Sequence, residues 1–143
     1  MYQTILLCYD GTREGRAAVR QGAELAMKLG AQTHMLAVMQ TPVGAYMTEA
    51  ISDSYFEREQ QAAQQLLDEA VRWLNERGLQ TQGHLVFGNP ADQIPQMATA
   101  LAADLVVVGH HRRSSLARWW AGPENASLLD RVPCSLLIAI LPG

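Results

Sequence analysis

The segment VVVGHHRRSSLARWWAGPENASLLDRVPCSLLIAI, Val106 to Ile140, decides the fold. It begins with an apolar run, passes through a polar loop, and ends in a second apolar run. Such continuous apolar runs are typical of strands that are covered on both faces. Gly122-Pro123 predicts the start of a short helix between the two runs, which ends near Val132. The segment therefore predicts a strand, a loop, a helix and a second strand.

The same strand pattern occurs earlier in the chain. The five predicted strands are Thr4–Tyr9, Thr33–Met39, Gly83–Phe87, Asp104–Gly109 and Ser135–Ile140. Amphipathic stretches separate them, and apolar residues recur there at helical spacing. This alternation predicts an α/β domain over residues 1–143. Its architecture is an open, doubly wound, five-stranded parallel sheet of order 3-2-1-4-5 with helices on both faces.

Local signals place the predicted helix ends. Thr12 is an N-cap for a helix that runs to Leu29 and stops at Gly30. The buried stripe of that helix is predicted as Ala18, Gly22, Leu25, Ala26 and Leu29. Ser54 and Glu57 have the spacing of a capping box for a second helix, which Gly78 ends. Asn89-Pro90 opens a third helix, in which Pro95 predicts an irregular first turn.

Composition narrows the class of protein. The 143 residues are 48% hydrophobic and carry a net charge of −3, which fits a globular domain and argues against nucleic-acid binding. No apolar run approaches membrane-spanning length, and the first residues lack a signal-peptide pattern, so we expect a cytoplasmic protein. Cys8 and Cys134 are interpreted as buried thiols. His110 and His111 are adjacent rather than spaced for one metal ion, so we expect no metal site.

A sheet of this order binds ligands at the carboxyl ends of its central strands. The first and fourth strands meet there, and Asp10, Gly11 and Thr12 follow the first of them. Asp10 could accept hydrogen bonds from a ribose, or it could serve as a turn or cap residue. Gly109 would let a ligand approach the backbone, and the helix that opens near Gly122 would offer N–H groups to an anion.

The chain resembles the universal stress protein family. The loop GHHRRSSLARWWAGPENASLLDRVPC aligns without gaps on that family's pattern of Gly-x-x-Gly, nine residues, and Gly-Ser or Gly-Thr. ILLCYDGT resembles its opening strand, and GNPADQIPQMATALAADLVVVG resembles its third helix and fourth strand. The resemblance implies an adenine nucleotide alpha-hydrolase-like fold and, in some members, bound ATP or AMP. It also implies a homodimer through the last strand, Ser135–Ile140.

Carried over by position, the resemblance implies a nucleotide site. Its predicted members are Asp10, Gly11, Thr12, Val38, Gly109, Arg112, Arg113 and Gly122. Asp10 matches the ribose-contacting aspartate, and Val38 matches a residue whose backbone contacts adenine. Gly109 and Gly122 match loop glycines.

Two positions of the loop depart from the family pattern. Arg112 replaces the second glycine, and Pro123 replaces the phosphate-binding Ser or Thr, which removes a hydroxyl and an N–H donor. Glu124 adds a carboxylate that would repel phosphate. Against these losses, Arg112 and Arg113 offer guanidinium groups that suit phosphate.

Two functions follow as the main expectations, and a third is the binding of another small anion at the same edge of the sheet. The first is a non-enzymatic regulatory and binding module of the stress response that does not bind ATP in the family's usual mode. The alternative is an adenine-nucleotide sensor, for ATP or AMP, in which Arg112 and Arg113 replace the glycine-loop contacts. The segment Gln40–Asp53 is interpreted as a lid, a partner surface or an ordinary surface loop.

Overall fold

Five parallel strands form the sheet, in the predicted order 3-2-1-4-5. The structure, a computed structural model, describes residues 2–39, 49–110 and 128–141, and of residues 49–54 it describes the backbone alone. The strands are β1 (Thr4–Tyr9), β2 (Gln32–Met39), β3 (Thr81–Phe87), β4 (Leu105–His110) and β5 (Ser135–Ile140). Every neighbouring pair is parallel, which confirms the predicted fold class.

Helices cover both faces of this sheet. They are α1 (Arg13–Ala18), α2 (Arg20–Leu29), α3 (Glu49–Glu76), α4 (Pro90–Ala100) and α5 (Leu128–Arg131). Alternate residues of β1 enter two separate core clusters: Leu7 packs with residues of α2 and α3, whereas Leu6 packs with Ile94 of α4 and Leu128 of α5. In the part of the chain that is described, no helix combines the length and apolar character needed to cross a membrane.

The predicted helix over Thr12–Leu29 is wrong in one respect, because it is two helices. Val19 separates α1 from α2 with φ −89° and ψ 4°. The side chain of Val19 is buried, with 1% of its surface exposed. The break shifts the buried face of α2, so that Ala23 is buried and Leu29 is 44% exposed, contrary to the predicted stripe. The caps at Thr12 and Gly30 are confirmed.

Two further helix starts differ from prediction. Helix α3 begins at Glu49 and passes through Ser54, so the capping-box signal did not mark its start and residues 49–53 are not a loop. The remainder of the Gln40–Asp53 segment lies outside the described residues. Helix α4 begins with a regular turn at Pro90, in which the N–H groups of Asp92 and Gln93 both donate to the carbonyl of Asn89. Pro95 lies beyond that turn and leaves it intact.

Two hydrogen bonds between a carboxylate and the backbone connect the starts of the central strands. Asp104 precedes β4, and its two carboxylate oxygens accept the N–H groups of Gln3, at 2.8 Å, and Thr4, at 3.0 Å. These contacts join residues about one hundred positions apart in sequence. They fix the register at which β1 enters the sheet beside β4.

We expect the free energy of unfolding to decrease as the pH is lowered below the ordinary histidine pKa of about 6.5. The rings of His34 of β2 and His84 of β3 stack, and Nδ1 of His34 lies 3.0 Å from Nε2 of His84. Burial lowers the pKa of both imidazoles, and the neighbouring His84 lowers the pKa of His34 further. The unfolded chain therefore takes up these protons first as the pH falls, which favours unfolding from about pH 6.5 down to the folded pKa values.

Urea denaturation between pH 7.5 and pH 5 measures this effect. The double variant His34→Asn/His84→Asn should show a shallower dependence of stability on pH than the parent. Gln82→Asn, an exposed change on β3, is the matched control and should keep the parent's slope. Equal slopes in the parent and in the double variant would contradict the expectation.

Candidate functional site

Asp10, Val38 and Gly109 lie at one edge of the sheet. Tyr9 of β1 pairs with Ala37 of β2, and Cys8 pairs with Val108 of β4. The three candidate residues each follow one of these paired positions, so they are neighbours at the carboxyl ends of the three central strands. This is the edge at which an open α/β sheet binds ligands, and we call the space beyond it the strand-end cleft. The structure thus brings together the described part of the predicted nucleotide site.

The carboxylate of Asp10 is held by the loop that follows it. Oδ1 of Asp10 accepts hydrogen bonds from the backbone N–H of Thr12, at 3.1 Å, and from the Thr12 hydroxyl, at 2.6 Å. Oγ1 of Thr12 in turn accepts the backbone N–H of Gly15, at 3.0 Å. Thr12 therefore caps α1 and orients Asp10 at the same time. Asp10 therefore stabilises the turn, which is one of the roles that the sequence left open beside ribose binding, whereas Thr12 is the cap.

Gly15 is a member of this site that the sequence reasoning missed. A Cβ atom at Gly15 would collide with Oδ1 of Asp10 and would also approach Oγ1 of Thr12, at 3.2 Å. The absence of a side chain is therefore required for the carboxylate to reach Thr12. The only sequence signal was a small residue three positions after an N-cap, which is too common a feature to identify a contact.

Gly11 connects β1 to the cap of α1 through a left-handed backbone. Its φ is +83°, a conformation that favours glycine. Its missing side chain faces Met39 of β2, whose Cγ would lie 3.4 Å from an added Cβ. The chain can therefore turn sharply above the sheet between Asp10 and Thr12.

Val38 lies in the core below the end of β2. The whole residue is 1% exposed, and it packs in the core cluster that includes Ile94. The predicted role is a contact between the backbone of Val38 and a base. That role stays a prediction.

Gly109 has a packing reason to be glycine. An added Cβ would lie 2.8 Å from Cβ of Ala18 and 2.9 Å from Cγ1 of Val19. The end of α1 therefore lies directly against β4 at this position. The predicted contact of Gly109 with a ligand stays a prediction, and Arg112, Arg113 and Gly122 lie outside the described residues.

Cys8 and Tyr9, at the carboxyl end of β1, are both buried. Burial raises the pKa of the Cys8 thiol and of the Tyr9 hydroxyl well above their ordinary values. Both groups are therefore neutral near pH 7, and neither is an activated nucleophile. Within residues 2–39, 49–110 and 128–141, no group of three or more His, Cys, Asp or Glu side chains could hold a metal ion.

Comparisons with known proteins agree with one another. The family model described as "Universal stress protein family" matches residues 1–139. A curated relative from Thermus aquaticus, described as a universal stress protein, is 27% identical over 96% of this chain and 98% of its own length. A solved structure of a universal stress protein family member from Burkholderia pseudomallei is 23% identical, with a TM-score of 0.73 over 99% of this chain and 97% of that one. The universal stress protein from Archaeoglobus fulgidus, solved in complex with dAMP, is 20% identical, with a TM-score of 0.61 over 96% and 97%.

Proposed function

The chain belongs to the universal stress protein family, and from this premise we propose that it is a non-enzymatic regulatory and binding module of the cytoplasmic stress response. Its strand-end cleft does not hold ATP in the family's usual mode. The observation that carries this proposal is that the N–H and the hydroxyl of Thr12 both donate hydrogen bonds to Oδ1 of Asp10. A ribose hydroxyl would have to share Oδ1 with two donors of Thr12 or use Oδ2 instead.

The sequence of the loop after β4 supports the same proposal. A phosphate chain is usually held by backbone N–H groups at glycines and at a helix start. Pro123 supplies no N–H, and Arg112 has a side chain where the family pattern has glycine. Glu124 adds a negative charge two residues after Gly122, close in sequence to where the family pattern would place phosphate.

Binding of an adenine nucleotide is the second candidate function. The convergence of Asp10, Val38 and Gly109 at one sheet edge favours it. The Archaeoglobus fulgidus protein in complex with dAMP is a structural neighbour, so a nucleoside monophosphate is a reasonable ligand to test. In this alternative, Arg112 and Arg113 replace the backbone contacts to phosphate.

Calorimetric titration with Mg-ATP and with AMP separates the two functions. We expect no ATP binding by the parent at millimolar ligand and no release of phosphate from ATP. The double variant Arg112→Gly/Pro123→Ser should gain ATP affinity by at least about tenfold, because it restores two backbone or hydroxyl contacts. Arg58→Gln, an exposed change on α3, removes one positive charge elsewhere and is the matched control.

The opposite results would support the sensor. In that case the parent binds ATP more tightly than AMP, and Arg112→Gly weakens ATP binding, because the guanidinium holds phosphate. Measurable binding of ATP and AMP with equal affinity would contradict the expected absence of ATP binding, since it would mean that the cleft binds adenosine without help from the segment after β4. Phosphate release above the control rate would contradict the non-enzymatic function.

The proposal includes a homodimer that forms through β5. This strand pairs with β4 on one side and is the last strand in the sheet order. Leu137 and Ile140 of β5 are 39% and 59% exposed, and Leu141 follows them with 37%. A second copy of the strand, paired antiparallel, would cover these side chains and satisfy the open backbone edge of both copies.

A further inference from the structure

A groove of about 450 Å³ lies between the first two helices and α3, on the face of the sheet opposite α4. Its volume falls within the range of roughly 300–1,000 Å³ that is typical of small-molecule sites. Its floor is apolar and includes the buried side chains of Val19, Ala23, Met35 and Leu74. None of the described candidate nucleotide residues lines it, so the groove is separate from the strand-end cleft.

One wall of the groove is strongly cationic. Arg13, Arg16 and Arg20 all line it, whereas Glu69 is the one carboxylate among the lining residues. Glu69 is already used, because its Oε2 lies 3.1 Å from Nη1 of Arg16. The same Nη1 also donates to the carbonyl of Leu66, at 2.9 Å, which fixes Arg16 in place.

Arg13 and Arg20 remain available for an anion. The side chain of Arg13 forms no ion pair and no hydrogen bond with any residue in the described part of the chain. Arg20 lies 3.7 Å from Glu24, but both side chains are more than half exposed, and an ion pair of that kind is weak. The groove therefore offers two guanidinium groups whose charges are not balanced within it.

The other wall carries an aromatic ring in a positive environment. Trp73 of α3 lines the groove, and the guanidinium carbon of Arg77 lies 3.6 Å from its ring centroid. Arg20 lies over the same indole at 6.0 Å. An apolar ligand can pack against this half-buried ring and the apolar floor, while an acidic group reaches the arginines. Organic cations would be repelled by the same wall.

The geometry points to a second binding site in this groove, for a small organic anion with an apolar body, such as an aromatic sulfonate or a medium-chain carboxylate. Its acidic group binds Arg13 and Arg20. Its apolar part packs on Trp73, Ala23 and Leu74. The combination of an apolar floor with unbalanced guanidinium groups selects an amphiphilic anion over inorganic phosphate, which would leave the floor uncovered.

Fluorescence titration with 8-anilinonaphthalene-1-sulfonate tests this site, since the dye is itself an amphiphilic anion. The folded parent should bind it with saturation, and decanoate should displace it. Arg13→Gln/Arg20→Gln should weaken dye binding roughly tenfold or more, because two charge-assisted contacts are lost. Arg58→Gln/Arg72→Gln removes two exposed charges from α3 outside the groove and is the matched control. It should bind the dye like the parent.

A third variant tests the groove without changing charge. Ala17 lines the groove and is exposed, so Ala17→Phe should fill part of the space and weaken dye binding while the protein remains folded. Thermal melting confirms the fold of each variant. Unchanged dye affinity in both Arg13→Gln/Arg20→Gln and Ala17→Phe would overturn the proposal, because the dye would then bind elsewhere. An equal loss of dye affinity in the control would also overturn the proposal, because it would indicate general attraction of the dye to positive charge. The absence of saturable dye binding by the parent would overturn it as well.

Discussion

Replacing Gly109 by alanine is expected to lower the free energy of unfolding by about 1–3 kcal/mol. The new Cβ would lie 2.8 Å from Cβ of Ala18 and 3.1 Å from the carbonyl carbon of the same residue. Neither atom is the end of a flexible side chain, so α1 must move away from β4. Because Thr12 is the N-cap of α1, the movement would also disturb the contacts that hold Asp10.

A double-mutant cycle measures this effect by urea denaturation. Ala18→Gly removes the closest of the contacting atoms, so Gly109→Ala should lower the free energy of unfolding by less in that background. We expect the two changes to couple by at least about 0.5 kcal/mol, as is usual for residues in direct contact. Additive costs would show that the close approach of β4 and α1 does not limit the size of residue 109.

Placing lysines on the outer edge of β5 is expected to abolish the proposed homodimer. In the double variant Leu137→Lys/Ile140→Lys, twofold symmetry would bring four new charges into an interface that is apolar in the parent. Charged side chains on an edge strand also prevent another strand from pairing with it. If each of the four lysines opposes association by only about 1.4 kcal/mol, the dimerisation constant falls by about ten-thousandfold.

Light scattering coupled to gel filtration measures the mass of each species. The parent should elute with twice the mass of the chain at micromolar concentration, and the lysine variant should elute with the mass of one chain. Tyr55→Lys is the matched control, because Tyr55 is 56% exposed and lies on α3, which packs over β2 and β3 at the other side of the sheet. A monomeric parent would contradict the proposed dimer, and a dimeric lysine variant would place its interface elsewhere.

The strands could be predicted well because their apolar runs are continuous. The bounds of β1 and β5 match the prediction, whereas β2 and β3 start earlier, at Gln32 and Thr81. Polar residues at the start of a strand carry no apolar signal. Asp104 was predicted to begin the fourth strand, but β4 begins at Leu105. The carboxylate of Asp104 accepts the N–H groups of Gln3 and Thr4 instead. A contact between residues so distant in sequence has no local signature.

The candidate site was predictable in its position but not in its contacts. The predicted order of the strands placed Asp10 and Gly109 at one edge of the sheet, and the family resemblance added Val38. The dependence of Asp10 on Gly15, and of Gly109 on Ala18, could not be predicted, because both follow from how closely α1 approaches the sheet. The groove beside Trp73 was missed for a similar reason: it exists only where the first two helices and α3 pack side by side.

The sheet order also determines when the domain can fold during synthesis. The first 87 residues contain three strands that are neighbours in space, with α1 to α3 all on one face. Until β4 leaves the ribosome, one edge of β1 is unpaired, and the face beneath Ile94 and Leu128 is bare. Asp104 can contact Gln3 and Thr4 only after about a hundred residues have been made. The central strand of the finished protein is thus an exposed edge in the nascent chain, where a chaperone or a neighbouring nascent chain can pair with it.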